Sequence, residues 1–249
     1  MHSVLLLKEK KSLQDDYETL LTLNGFQVEF MQVLKTEFIN QNQVFGLFST
    51  QPNHTCAGLI VTSQNAGRAL DFASIHPDWL LNVPVFCVGE ATGKRMEKLG
   101  FKTCLGQECG NAKALAEFII NQNIMGRIDA AQEGHYLFLT GDKTKAVLPD
   151  TLQEASLKVV QVQVYQTVNI EDIDSEVLNG KINVIFSPSG LAKIDFSLIE
   201  SCQWIAIGPT TRKALEDCGI NCFQAKAPTP KGLLEAIREL QNYNDGNQS

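Results

Sequence analysis

Apolar residues along this chain of 249 residues fall into two alternating patterns. Short, nearly uninterrupted apolar runs rich in β-branched residues recur at 5–7, 58–62, 85–88, 136–139, 159–164, 184–186 and 204–207. Runs of that kind suit strands buried on both faces. Between them, 13–24, 66–72, 92–99, 112–121, 148–155, 211–218 and 231–243 carry apolar residues at helical spacing, and the polar tail 244–249 is expected to fray. Strands alternating with helices at this pitch predict parallel α/β sheets.

The two halves of the chain also repeat one another. Residues 88–101 (VGEATGKRMEKLGF) align without a gap on 207–220 (IGPTTRKALEDCGI), so that Gly89/Gly208, Thr92/Thr211, Lys94/Lys213, Glu97/Glu216 and Gly100/Gly219 coincide. Residues 59–63 match 183–187, 113–119 match 231–237, and the stretch from Gly25 to Thr36 matches that from Ser156 to Thr167. Two similar α/β domains follow.

In each half a buried strand runs into hydroxyl-bearing and small residues ahead of a helix. One half has Thr62, Ser63, Gln64 and Asn65, then Gly89 to Thr92; the other has Ser187, Pro188, Ser189 and Gly190, then Gly208, Pro209, Thr210 and Thr211. Loops at the carboxyl ends of parallel strands are where open α/β sheets bind ligands, and helix N-termini there offer free N–H groups to an anion. Any one Ser or Thr is explained as well by capping its own helix. Four such turns at corresponding places point to a ligand cleft between the two domains.

Tyr165 breaks the repeat, its counterpart being Leu34, and it ends a strand of alternating Val and Gln. A phenol with a pKa near ~10 keeps its proton at neutral pH and can donate it to a leaving oxygen, whereas an ordinary strand tyrosine is the competing reading. The loop from Thr140 to Lys145 adds Lys143 and Lys145 in a flexible turn containing Gly141. Those cations can meet ligand carboxylates or simply remain solvated.

Charge and composition narrow the partners. The 21 basic and 28 acidic side chains leave a net charge of −7, and no basic block exceeds Lys10-Lys11, which argues against a nucleic-acid surface. No apolar run approaches the roughly 18 residues of a membrane helix, and the first apolar cluster lacks the charge order of a secretory signal. A cytoplasmic protein with no membrane partner is expected. The seven cysteines, Cys56, Cys87, Cys104, Cys109, Cys202, Cys218 and Cys222, lack CxxC spacing and read as reduced structural thiols. His2, His54, His76 and His135 stand apart from any metal-ligand pattern, with His76 ahead of Pro77 in a predicted surface turn. No metal site is expected. The run from Gly89 to Lys94 is one residue short of a phosphate loop, and no GxGxxG is present.

Taken in order, several short motifs resemble the uroporphyrinogen-III synthase family across nearly the whole chain. They are Val4-Leu-Leu-Leu-Lys8, Gly58-Leu-Ile-Val-Thr-Ser63, Val88-Gly89 with Ala91-Thr92, Gly110-Asn-Ala-Lys-Ala-Leu-Ala-Glu117, Val164-Tyr-Gln-Thr-Val168, Phe186-Ser-Pro-Ser-Gly-Leu191, Ala206-Ile-Gly-Pro-Thr-Thr211 and Pro228-Thr-Pro230. The resemblance implies an α/β fold of two similar parallel-sheet lobes, joined by a two-stranded connector, with a ligand cleft between them. One lobe would combine 1–35 with 168–249, and the other would be 36–167. It also implies a cofactor-free lyase that closes linear hydroxymethylbilane to uroporphyrinogen III, losing water and inverting ring D.

Carried over position by position, the resemblance assigns Tyr165 to loss of the hydroxyl. Ser63, Thr92, Ser187 and Thr211 line the cleft, Gly190, Gly208 and Thr210 lie beside them, and Thr62 and Ser189 complete the candidate set. Asn65 stands where relatives place an arginine, and Arg68, one turn on, is the candidate replacement. The implied substrate is a polycarboxylate, which an acidic chain can hold through main-chain and hydroxyl donors. A monomer is expected. A non-catalytic, two-lobed anion-binding or regulatory protein is the competing reading.

Overall fold

The computed structural model describes residues 3–10, 13–50, 56–71, 78–125, 134–171, 173–199 and 201–247. Along the chain come β1 (Ser3–Leu7), α1 (Asp16–Leu23), β2 (Gln27–Phe30), β3 (Leu34–Phe38), α2 (Gln41–Thr50), β4 (Cys56–Val61) and α3 (Gln64–Arg68). Next are α4 (Asp78–Asn82), β5 (Val85–Cys87), α5 (Glu90–Lys98), β6 (Cys104–Leu105), α6 (Ala112–Ile124), β7 (His135–Gly141), α7 (Val147–Glu154) and β8 (Lys158–Asn169). The last stretch holds β9 (Ile182–Ile185), β10 (Gln203–Ala206), α8 (Pro209–Asp217), β11 (Phe223–Gln224) and α9 (Pro230–Asn247).

These elements divide into two compact units, Met1–Lys35 with Val168–Ser249, and Thr36–Thr167. The first carries a five-stranded parallel sheet in the order β11-β10-β9-β1-β2. The second carries six strands in the order β3-β8-β7-β4-β5-β6, of which β8 through β6 are parallel. In the repeat, β9, β10 and β11 correspond to β4, β5 and β6, and β1 and β2 to β7 and β8. Five strands therefore stand in the same order in each unit. The chain passes between units along β3 and β8, which run antiparallel: Ile170 N–H donates to the Val33 carbonyl, and Ile39 N–H donates to that of Val164.

The uninterrupted apolar runs follow from having an apolar layer on each face of each sheet. On β1, Val4 and Leu6 pack with Leu233 and Ile237 of α9, while Leu5 and Leu7 pack with Leu215 of α8. On β7, Leu137 and Leu139 join one core and Tyr136 and Phe138 the other. Each such fully buried side chain contributes about 1.5–3 kcal/mol.

Helices α1, α5, α7 and α8 close alike. A residue in the left-handed region, Gly25, Gly100, Ser156 or Gly219, bonds its N–H three residues back, and the next N–H reaches five residues back. Ser156 (φ 62°) thus takes, with a side chain, the conformation that Gly25 (φ 85°) takes at the corresponding place.

Several expectations from the sequence are corrected. The two-residue strands β6 and β11 are too short to show a period, β2 is half-buried and mixed in polarity, and α2 and α4 were likewise not expected; β3, expected only as a connector strand, is also half-buried and mixed in polarity. The helix expected from residue 13 starts at Asp16, because the Asp15 carboxylate accepts from the N–H groups of Tyr17 and Glu18. Residues 244–247 continue α9 rather than fray. The strand read as ending at Tyr165 continues to Asn169, since it is also the link into the other unit. Ser187 opens only a 3-10 turn, Pro188–Leu191. Among the described residues no helix is long and apolar enough to cross a membrane.

Candidate active site

Ligand crevices of open α/β sheets form outside the carboxyl ends of strands, where the strand order reverses. In the second unit that reversal falls between β4 and β7, so the decisive loops begin at Thr62 and Gly141. In the first it falls between β1 and β9, beside Lys8 and Ser187.

Ser63 leaves β4 in an extended conformation (φ −146°, ψ 151°) and caps α3, its Oγ accepting from Ala66 N–H at 3.1 Å. A cap of this kind stabilises by about 1 kcal/mol. The same hydroxyl donates to the Tyr165 phenol oxygen at 3.1 Å. Each donor in the series from Ala66 N–H through Ser63 O–H polarises the next, and the Tyr165 hydrogen remains for an outside acceptor.

Tyr165 reaches this place through a bulge. Thr140 of β7 pairs with Gln163 of β8, but the next residue, Gly141, pairs with Tyr165. The extra residue resets the alternation of side chains. Tyr165 consequently packs against the same core as Val162 and Val164, rather than on the face that strict alternation would give it.

Other candidates cluster around this pair. The antiparallel register places Phe38 across from Tyr165, and both pack on that core. The Arg68 guanidinium lies 5.4 Å over the Phe38 ring. Asn65 donates to Thr36 Oγ1 at 3.4 Å, so it ties α3 to β3. Phe38 and Thr36 escaped the sequence reading; their only signal was adjacency to the repeat boundary. The loop expected to be flexible is pinned: Asp142 Oδ1 accepts from Thr167 N–H at 3.2 Å, and Thr144 Oγ1 accepts from Gly141 N–H at 2.9 Å. Lys143 and Lys145 are exposed.

The remaining sites fall on both units. Thr62 is half-buried after β4, and Thr92, in the first turn of α5, is buried. Gly89 (φ 79°) opens α5 with no side-chain cap. In the first unit, Gly208 likewise opens α8 uncapped, Thr210 is exposed and Thr211 is buried. Ser187 makes no capping bond, Ser189 is half-buried, and Gly190 packs where a Cβ would meet Ile185 and Val33 at 2.8 and 2.9 Å.

Lys8 leaves β1 at the first unit's reversal. Its ammonium pairs with Asp15 at 2.6 Å and lies 4.5 Å over Tyr17 and 5.2 Å over Phe186. Burial pushes the Asp15 carboxyl up, but Lys8 and the N–H groups of Glu18 and Tyr17 outweigh it and hold the group below its usual 3.8. This cation is already matched within its own unit.

Among the described residues no group of three His, Cys, Asp or Glu is arranged to hold a metal ion. His135 lies at the amino end of β7, away from these loops, while His2, His54 and His76 lie outside the described residues. All seven cysteines are free thiols. The hydrogen bond to Cys104, together with burial, holds Cys87 well above the usual thiol value, so it stays protonated.

Fold and loops together define an α/β protein of two parallel-sheet units that presents hydroxyls and main-chain donors at the carboxyl ends of its strands. A family model described as uroporphyrinogen-III synthase HemD matches residues 15–235. The chain is 30% identical to the uroporphyrinogen-III synthase of Saccharomyces cerevisiae over 96% of its length and 97% of the relative's. Against the Schizosaccharomyces pombe enzyme it is 28% identical, over 98% and 99%. The chain belongs to the uroporphyrinogen-III synthase family, enzymes of tetrapyrrole biosynthesis, and a non-catalytic role is not favoured.

Solved structures bear on the fold. The uroporphyrinogen-III synthetase of Helicobacter pylori matches with a TM-score of 0.57 at 17% identity, covering 96% of this chain and 100% of that one. A mutant synthase from the extremely thermophilic bacterium Thermus thermophilus matches at 0.51 and 13% identity, over 97% and 100%.

Proposed function

We propose that this chain converts linear hydroxymethylbilane to uroporphyrinogen III, with loss of water and inversion of ring D, and uses no cofactor. The observation that carries the reading is the Tyr165 phenol, held by the Ser63 hydroxyl at 3.1 Å with its own hydrogen left to give.

In this reading Tyr165 passes its hydrogen to the hydroxyl departing from ring A, which leaves as water. Ser63 O–H stabilises charge on the phenol oxygen, and the pyrrole N–H proton released in forming the azafulvene balances the one given up. Ring D then attacks through its substituted carbon, and the spiro intermediate fragments and recloses with ring D reversed. The bare substrate closes to the symmetric type I isomer on its own, so the protein's main task is orientation. Thr62, Ser63 and Thr92 of the second unit and Ser187, Ser189, Gly190, Gly208, Thr210 and Thr211 of the first are assigned to holding the substrate. The uncapped first turns of α5 and α8 supply main-chain donors for carboxylates. Arg68, exposed with its guanidinium over the Phe38 ring, supplies a cation beside the strand pair that carries Tyr165.

The test is to supply freshly generated hydroxymethylbilane, oxidise the product and separate the porphyrin isomers. A type III excess is expected; type I alone, at the spontaneous rate, overturns the reading. The proposal includes a cytoplasmic monomer, for which sedimentation at 27.5 kDa is the expected result and a stable dimer the contrary one.

A further inference from the structure

We infer that Gly141 is a positioning residue for the Tyr165 phenol. The inference rests on the assignment of Tyr165 to loss of water.

The Tyr165 ring lies directly on the Gly141 backbone. A Cβ at 141 would stand 2.6 Å from both the phenol oxygen and Cε2, and closer still to Cζ, where ordinary contact begins at 3.4 Å. Backbone conformation does not require glycine there, because Gly141 is not among the residues with positive φ, and the three atoms nearest a Cβ all belong to Tyr165. Nor can the backbone easily yield. Gly141 ends β7, its N–H donates to Thr144 Oγ1 at 2.9 Å, and its carbonyl accepts from Thr144 N–H at 3.2 Å. The movable partner is therefore the ring, the far end of a flexible side chain. Bulge and glycine act together: the bulge turns Tyr165 toward this face, and the missing side chain lets its hydroxyl come within 3.1 Å of Ser63.

A methyl group at 141 moves the ring by about 1 Å, and a displacement of that size at a reacting group costs roughly 10²-fold in rate. Gly141→Ala is thus expected to lower kcat by about 10- to 100-fold with KM for hydroxymethylbilane unchanged, and to raise the type I share of product. Because the effect runs through the phenol, Gly141→Ala should cost nothing further in a Tyr165→Phe background.

Wild-type kcat in Gly141→Ala, or a double variant slower than Tyr165→Phe by the full single-variant factor, overturns the inference. Tyr165→Phe at the wild-type rate sinks instead the reading of Tyr165 itself. Should Gly141→Ala not fold, Tyr165→Ala combined with Gly141→Ala should fold as well as Tyr165→Ala alone. A double variant that still does not fold places the clash elsewhere and overturns the inference.

Discussion

Ser63 and Ser187 hold the same place in the repeat, after β4 and β9, yet they are used differently. Ser63 is committed twice, as the cap of α3 and as donor to Tyr165. Ser187 opens a 3-10 turn and makes no capping bond. The reversal of strand order beside each serine differs in the same sense. The second unit has an exposed Arg68 and a phenol with a hydrogen to give, whereas the first has Lys8 matched by Asp15 and a leucine, Leu34, where the phenol would be. A duplicated α/β unit thus repeats its scaffold while only one copy carries the paired hydroxyls of Ser63 and Tyr165.

The strongest way to break that comparison is Tyr165→Phe. If the second unit alone supplies the proton, turnover falls by roughly 10²-fold or more, in the range of general acid catalysis, with KM unchanged. Steady-state kinetics at wild-type kcat would leave the two units chemically equivalent.

Asp15→Asn probes the first unit's matched pair. The carboxyl is held below its usual 3.8, so its contribution to stability is complete above that value and is lost as the pH falls through the folded one. Replacing it removes a charge-assisted bond and costs about 2 kcal/mol at pH 7. The gap between the urea midpoints of variant and wild type should narrow as the pH falls below 3.8; a gap that stays constant contradicts the ion-pair account.

Ser63→Ala and Ser187→Ala test the unequal serines directly. The first should lose about 1 kcal/mol of stability with the cap, and some kcat with the phenol's donor. The second should leave the melting temperature nearly unchanged and raise KM. Equal loss of stability in the two would show that Ser187 caps its turn after all.

The smallest effect is expected at Ser156, where the second unit uses a side chain in the left-handed region and the first has Gly25. Ser156→Gly should stabilise by about 0.5–1 kcal/mol, since a left-handed L-residue costs roughly 1–2 kcal/mol and glycine returns part of that through greater freedom when unfolded. Thermal unfolding of the variant at or below the wild-type midpoint would refute it.

Much of this architecture was legible in the sequence because burial on both faces of a parallel sheet writes uninterrupted apolar runs such as 4–7 and 136–139. The internal repeat marked the loops at Ser63, Gly89, Ser187 and Gly208, and the break in that repeat marked Tyr165. Elements without a period left no trace in the apolar pattern: the two-residue strands β6 and β11 and the half-buried β2, while β3 was marked only as a connector strand by the family resemblance. Asp142 looked like part of a mobile loop, because its bond to Thr167 N–H joins residues 25 positions apart.

Local order therefore determined the strands, the helices, the duplication and the chemical character of the loops, each set by side-chain periodicity or by capping within a few residues. The working relation between Tyr165, Ser63 and Gly141 was decided by tertiary structure alone. It depends on one extra residue in the pairing of β8 with β7, which puts the phenol on the face that the Val–Gln alternation denies it. A register shift is a property of two strands together, and neither strand's sequence contains it.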